Sequence, residues 1–274
     1  MKISMWSYYY HDLTPNEMVL RFQSNGWTYS ELSDEHGAML LEMGDPKTVG
    51  REFKEFADSH QVYFPQGHLW LSCPLCAPDE DWVLSTLRSW IDLFYAAGVR
   101  RAVLHCDGES FPEGTPKQAM IDANIDRVRK LVRHIEGTDM VICLENLLKI
   151  VDSVEELLQI IQAVGSPNLG ICLDTGHLNL AGHDQAAFIH TAGPKLKALH
   201  IADNEGATDQ HLMPFGRGQV DFVSVMRALS EIQYDGVYNF EVPGECHCPL
   251  AVRDLKLQYL KAVMQHMEAI VSGL

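Results

Sequence analysis

Short apolar, β-rich runs recur along the whole 274-residue chain. They lie near Ile3–Trp6, Trp27–Leu32, Val62–Leu69, Val99–His105, Met140–Leu144, Leu169–Leu173, Leu196–Ile201 and Gly236–Val242. Their starts are 24 to 41 residues apart, room for one strand, one helix and two loops. Between them, apolar residues recur at helical spacing. Thr14-Pro15-Asn16-Glu17 opens one such segment as a capping box with proline at the first helical position. Asp45-Pro46 opens the next, and Ser153-Val154-Glu155-Glu156 another. Asp79–Gly98 reads as a long amphipathic helix ending on glycine. Thr115–Gly137 reads as a second, and Pro249–Ile270 closes the chain. The stretches Ser7–Leu13, Ser33–Gly44, Trp70–Asp81, Cys106–Thr115, Thr175–Asp184 and Pro243–Cys248 read as loops that follow strands.

Strands that alternate with helices predict a parallel sheet. Eight such units in about 250 residues are the size of a (β/α)8 TIM barrel. The expectation is therefore an α/β chain with one barrel domain over residues 1–274. The competing architecture is an open doubly wound sheet. No Pro/Gly/Ser-rich linker divides the chain, which favours one domain.

Composition narrows the function. Hydrophobic residues make up 46% and charged residues 21%, as in a globular protein. Lys+Arg number 21 against 37 Asp+Glu, giving a net charge of −16. Nucleic acids and anionic membranes are bound mainly by clustered Lys and Arg, so both are disfavoured partners. No stretch approaches the roughly 18 apolar residues of a membrane span. The start, MKISMWSYYYHD, lacks the apolar core of a secretory signal. Seven scattered cysteines suit a reducing compartment and predict a cytoplasmic protein. Cys73-Pro74-Leu75-Cys76 and Cys246-His247-Cys248 read as free thiols.

In a TIM barrel the chemistry sits at the C-terminal ends of the strands. The third strand runs into His68 and the fourth ends at His105. The fifth ends at Glu145, and the sixth at Asp174 with His177 three residues on. The seventh ends at His200, followed by Asp209-Gln210-His211, and the eighth ends at Glu241. Carboxylates converging on one small mouth cannot all ionise without a counter-charge. A divalent cation is the natural compensation. Mixed carboxylate and imidazole ligands suit Mn²⁺ or Zn²⁺, and also Co²⁺ or Fe²⁺. The expected ligands are Glu145, Asp174, His200 and Glu241. His36, after the second strand, is a candidate pocket or loop residue.

The stretches Cys143-Leu144-Glu145-Asn146, Leu173-Asp174-Thr175-Gly176-His177 and Leu199-His200-Ile201-Ala202-Asp203-Asn204 carry a resemblance. So do Asp209-Gln210-His211, Gly216-Arg217-Gly218-Gln219-Val220-Asp221 and Phe240-Glu241. In this order they resemble the xylose-isomerase-like barrel superfamily over nearly the whole chain. Similarity to its ketose 3-epimerases implies one divalent ion on Glu145, Asp174, His200 and Glu241. It also implies that Glu145 and Glu241 are the acid/base pair, that His177 holds substrate, and that an arginine after the seventh strand assists. The arginine found there, Arg217, lies inside the Gly-x-Gly. The superfamily also holds lyases and dehydratases, and endonuclease IV. The last implies a three-zinc cluster with His68, His105, His177, Asp209 and His211 as further ligands. Such barrels form homodimers or homotetramers, as the resemblance implies.

Charge separates the two activities. Among the loops after the strands, only Lys149 and Arg217 are basic, whereas Asp12, Asp34, Glu35, Asp107, Glu109, Glu205 and Glu245 are acidic. A DNA duplex needs several phosphate contacts from Arg and Lys. A neutral sugar or polyol fits better, with Trp6, Tyr8, Tyr9, Trp70 and Phe111 as candidate apolar walls. The expected function is a metal-dependent sugar isomerase or epimerase working through a metal-stabilised enediolate. The alternatives are an abasic-site phosphodiesterase and a related lyase.

Overall fold

All eight apolar runs fold as strands. These are β1 (Lys2–Trp6), β2 (Tyr29–Leu32), β3 (Tyr63–His68), β4 (Arg101–Leu104), β5 (Val141–Glu145), β6 (Leu169–Asp174), β7 (Leu196–His200) and β8 (Val237–Phe240). The computed structural model describes residues 1–272. The sheet order is β7-β6-β5-β4-β3-β2-β1-β8, and every pair is parallel. A parallel bridge between Ile201 and Phe240 joins the two remaining edges. There the Ile201 amide donates to the Asn239 carbonyl at 2.7 Å, and the Glu241 amide donates to the Ile201 carbonyl at 3.1 Å. The result is the expected TIM barrel.

Among the described residues, ten α-helices accompany the strands. They are α1 (Pro15–Ser24), α2 (Asp34–Leu41), α3 (Pro46–Ser59), α4 (Glu80–Ala96), α5 (Lys117–His134), α6 (Val154–Val164), α7 (Thr175–Ala181), α8 (Gln185–Ala192), α9 (Phe222–Glu231) and α10 (Leu250–Ser272). Their starts follow local chemistry. The Thr14 hydroxyl accepts the Glu17 amide while Glu17 accepts the Thr14 amide, a complete capping box. Asp45 accepts the Thr48 amide at 2.9 Å. Glu156 reaches back to the Ser153 amide.

Two stretches expected as loops contain helices. Ser33 caps α2 by accepting the His36 amide, and Asp174 caps α7 by accepting the His177 amide at 2.6 Å. Helices of eight and seven residues are too short for their periodicity to stand out in sequence.

The main core lies between strands and helices. Inside the barrel, alternation makes layers. Ser4, Glu31, Gln66, Val103, Cys143, Cys172, Ala198 and Asn239 share the inward phase and are buried. Val103, Cys143, Cys172 and Ala198 form a small apolar cluster with Val141. The other half of that layer, on β1, β2, β3 and β8, is polar. Above it stand His68, Glu145, Asp174, His200 and Glu241.

Candidate metal centre

β-strand register brings the first candidate ligands together. Asp174 on β6 pairs with His200 on β7. The Ile201–Phe240 bridge sets Glu241 beside His200. Glu145 ends β5, the next strand on the other side. One donor atom from each of Glu145, Asp174, His200 and Glu241 lies within 4.8 Å of the others, and all four residues are buried. His200 Nδ1 is 3.2 Å from Glu145 Oε2 and 3.3 Å from Glu241 Oε2.

The donor set fits a divalent cation on one physical observation. Asp174 Oδ2, His200 Nδ1 and Glu241 Oε2 are buried and have no hydrogen-bond partner. Orphaned buried polar atoms are costly and rare. Three of them on three candidate ligands point to a shared cation.

Two further groups adjoin the first. His68, His105 and Glu145 meet on one side, and His177, Asp209 and His211 on the other. Glu145 Oε2 is 3.4 Å from His68 Nε2 and 3.1 Å from His105 Nε2, while Oε1 is 3.1 Å from His177 Nδ1. Asp209 Oδ2 lies 3.1 Å from Nε2 of both His177 and His211. The ring orientations have visible causes. His68 Nδ1 meets the Leu69 carbonyl at 2.6 Å, His177 Nδ1 that of Asn146 at 3.1 Å, and His211 Nδ1 that of Glu241 at 3.0 Å. At His68 and His211 the Nδ1–H donates to the carbonyl and Nε2 faces the cluster, whereas His177 Nδ1 lies 3.1 Å from both the Asn146 carbonyl and Glu145 Oε1 while its Nε2 meets Asp209. His211 adopts a φ of 45°, a left-handed conformation uncommon for a side chain of this size.

These carboxylates and imidazoles shift one another strongly. Burial would raise Glu145, but the neighbouring His200 and His105 hold it well below the usual carboxylate range. Burial pushes Glu241 up to about 8. Burial would lower His68, but Glu145 raises it to about 9. His211 resists burial in the same way, and Glu241 and Asp209 carry it up to about 10. His105 is lowered, chiefly by burial. The sulfur of Cys172 also lies near Glu145 and His200, but burial pushes its thiol well up, so it packs as a neutral group.

The loops that carry the outer ligands are built by the motifs singled out in sequence. Asn146 clamps β6 by accepting the Asp174 amide at 2.8 Å and donating to the Asp174 carbonyl at 3.0 Å. Asp203 accepts the Asn204 and Val220 amides at 2.9 and 3.0 Å. A Cβ on Gly218 would lie 2.0 Å from the Asp203 carboxylate carbon, so the second glycine of Gly-Arg-Gly makes room for that carboxylate. An antiparallel bridge between Asp203 and Leu212 folds the Asp209–His211 tip over the mouth.

The structure thus gathers nine of the ten site residues expected from sequence. Arg217 stands apart: its side chain is 68% exposed and lies 3.7 Å from Glu205. Nearness in sequence to the glycine motif did not mean nearness to the site. Tyr9 is also not a wall of the mouth, because it is fully buried with its hydroxyl on the Arg253 carbonyl. Trp6 does reach the site edge, its ring stacked 6.4 Å from His211. His36 is neither exposed nor in the cluster. It is buried, with Nδ1 3.0 Å from the Ser7 hydroxyl and Nε2 3.2 Å from the Leu13 carbonyl. Sequence reasoning missed Glu31, a fully buried carboxylate 3.0 Å from His200 Nε2. Its only signal was a charged residue at an inward position of a strand.

A cavity of about 550 Å³ opens beside the cluster. His105, His177 and Asp209 line its inner part, and Leu71, Pro74, Leu147, Leu148 and Ile150 add apolar surface. Lys149 at its edge is paired with Glu109 at 2.7 Å. Both basic residues of the loop face are therefore neutralised by carboxylates.

A profile of the family described as Xylose isomerase-like TIM barrel matches residues 21–269. The chain belongs to this family. An uncharacterized protein of Methanocaldococcus jannaschii is 35% identical over 129 residues, 44% of this chain and 43% of the relative. The D-psicose 3-epimerase of Enterocloster bolteae is 29% identical over 116 residues, 41% of this chain and 36% of the relative. Matches to the curated relatives span about half of their length or less. The solved structure of D-psicose 3-epimerase with D-tagatose from Clostridium cellulolyticum H10 superimposes with a TM-score of 0.81. Identity there is 17%, over 99% of each chain, which shows a shared barrel fold. No helix among the described residues is long and apolar enough to cross a membrane.

Proposed function

We propose that this chain is a divalent-metal-dependent sugar epimerase or isomerase acting on a neutral ketose or polyol ketone. One observation carries the reading: Glu145 and Glu241, on strands separated by two others, bring carboxylate oxygens within 4.8 Å of Asp174 and His200. Glu145, Asp174, His200 and Glu241 would hold the cation, which when bound polarises a ketone and its neighbouring hydroxyl. One of the two glutamates takes the carbon-bound proton next to the carbonyl, and a carboxylate returns it. Return on the opposite face epimerises; return to the neighbouring carbon isomerises. His177 and His211 orient substrate hydroxyls at the mouth. The neighbouring cavity, with no unpaired Lys or Arg among its lining residues, suits an uncharged substrate. The epimerase relatives and the shared barrel support the same class.

The test is direct. The full chain, supplied with Mn²⁺, Co²⁺ or Zn²⁺, is incubated with ketopentoses and ketohexoses in D₂O, and products are followed by NMR. The expected result is a new epimer or aldose carrying deuterium at the exchanged carbon. Glu145→Gln and Glu241→Gln are each expected to lose more than a hundredfold in turnover while keeping the fold, given the typical worth of a general acid or base of about 10²–10⁴. Near-normal turnover in both variants would remove the assignment.

A second reading has its own observation. The His68–His105–Glu145 and His177–Asp209–His211 groups could hold two more ions, as the resemblance to endonuclease IV implies. The acidic, neutralised rim opposes binding along a DNA backbone. Incision of an abasic duplex together with three zinc ions per chain would establish this reading in place of the first.

A further inference from the structure

The polar half of the barrel interior contains a carboxylate that the chemistry above leaves unused. Glu31 is fully buried on β2. Its Oε1 lies 3.0 Å from His200 Nε2. Its Oε2 accepts the side-chain amides of Gln66, at 2.8 Å, and of Asn239. Asn239 is held in turn by the Ser4 hydroxyl at 2.9 Å, and the Gln66 amide also reaches the Leu199 carbonyl at 3.1 Å. The network ties β1, β2, β3, β7 and β8 beneath the metal centre. Both oxygens of Glu31 accept from protein N–H groups, and Glu31 belongs to none of the groups of converging ligand atoms.

Burying a carboxylate is expensive unless its partners repay the cost. Here the partner that matters is an imidazole. The group bound to one ring nitrogen decides which nitrogen keeps the lone pair. His68 and His211 each give Nδ1 to a backbone carbonyl and present Nε2. His200 is reversed. Its Nε2 meets Glu31, and its Nδ1 is the buried atom without a partner, facing Glu145 and Glu241.

We propose that Glu31 is a positioning residue of the metal centre: by accepting the Nε2–H of His200 it fixes the ring and the tautomer that present Nδ1 to the cation. A side-chain carboxylate does for His200 what main-chain carbonyls do for His68 and His211, and it also makes the imidazole a stronger donor. Glu31 stands 169 residues from His200 in the chain, and only barrel closure brings them together. This inference rests on the reading of Glu145, Asp174, His200 and Glu241 as a cation site.

The test uses the full chain with Co²⁺ or Zn²⁺ alone as the probe. Affinity is measured by chelator competition, and coordination by the visible absorption of Co²⁺. In Glu31→Gln the amide offers His200 an N–H, so the ring no longer has a dedicated acceptor for Nε2–H. Affinity is expected to fall about 10- to 100-fold with an altered Co²⁺ spectrum, as for other partners of metal-bound histidine. The far-ultraviolet circular dichroism is expected to stay the same. A purely structural role would lower thermal stability and leave affinity and spectrum unchanged, and that result overturns the proposal. If the variant fails to fold, ¹⁵N NMR of the Zn²⁺-loaded unaltered chain decides. Nδ1 coordinated with Nε2 protonated supports the proposal, and coordination through Nε2 overturns it. An unaltered chain that binds neither ion overturns the cation reading and this inference with it. Equal binding by Glu31→Gln overturns this inference alone.

Discussion

His36 shows how a buried titratable side chain is kept neutral. Nε2–H donates to the Leu13 carbonyl, and Nδ1 takes a hydroxyl from Ser7 or Ser33. Burial lowers its pKa from 6.5 to about 4. Between those values the unfolded chain binds a proton that the folded chain does not, so stability rises with pH across that window. The contribution is fully present above pH 6.5 and is lost as the pH falls towards 4, by about 3 kcal/mol in all. Urea unfolding at pH 7 and pH 4.5 is therefore expected to show a smaller acid loss in His36→Gln than in the unaltered chain. Equal losses would remove this account. At this scale the candidate ligands were readable in sequence, because a strand that ends in His, Asp or Glu announces its mouth residue. Glu31 was not readable, because its meaning lies in His200 on the far side of the ring. His36 was misplaced because nothing in the sequence tells a histidine at a helix start that it faces inward to two serines.

The elements were legible where periodicity is long, as in α4 and α5, or where the cap is explicit, as in α1. They were illegible where a helix is one or two turns and its cap is also a site residue, as in α7 behind Asp174. The connections matter as much as the elements. Arg253 of α10 is buried and reaches both oxygens of Asp12 at 2.8 Å, which docks the last helix onto the turn after β1. Gly244, three residues past Glu241, passes the same turn. A Cβ there would stand 1.7 Å from the Tyr9 carbonyl oxygen, and backbone does not give way cheaply. Gly244→Ala is expected to cost about 1–3 kcal/mol, the usual range for overpacking, seen as a lower midpoint in thermal unfolding. An unchanged midpoint would mean that the β8 loop has slack.

For the whole molecule, the net charge of −16 acquires a location. Part of the excess is concentrated in the barrel mouth, where Glu145, Asp174, Asp209 and Glu241 converge. A cation that binds only the folded chain stabilises it by mass action, about 2.7 kcal/mol at a free concentration 100 times its Kd. Added Mn²⁺ or Zn²⁺ is thus expected to raise the melting temperature, and a chelator to reverse the gain. A melting temperature indifferent to both would argue against a cation site. The barrel as a whole was legible because strand count, spacing and chain length agree. The choice of reaction was less so, since the same nine residues would suit one ion or three.

The seam between Ile201 and Phe240 gives the centre a mechanical meaning. Every other neighbouring pair of strands shares three or four paired residues, whereas there a single bridge joins the two edges. His200 and Glu241 stand on opposite lips of that seam. A cation held by both would act as a rivet across the joint with the fewest paired residues, so that loading the site would also lock the cylinder.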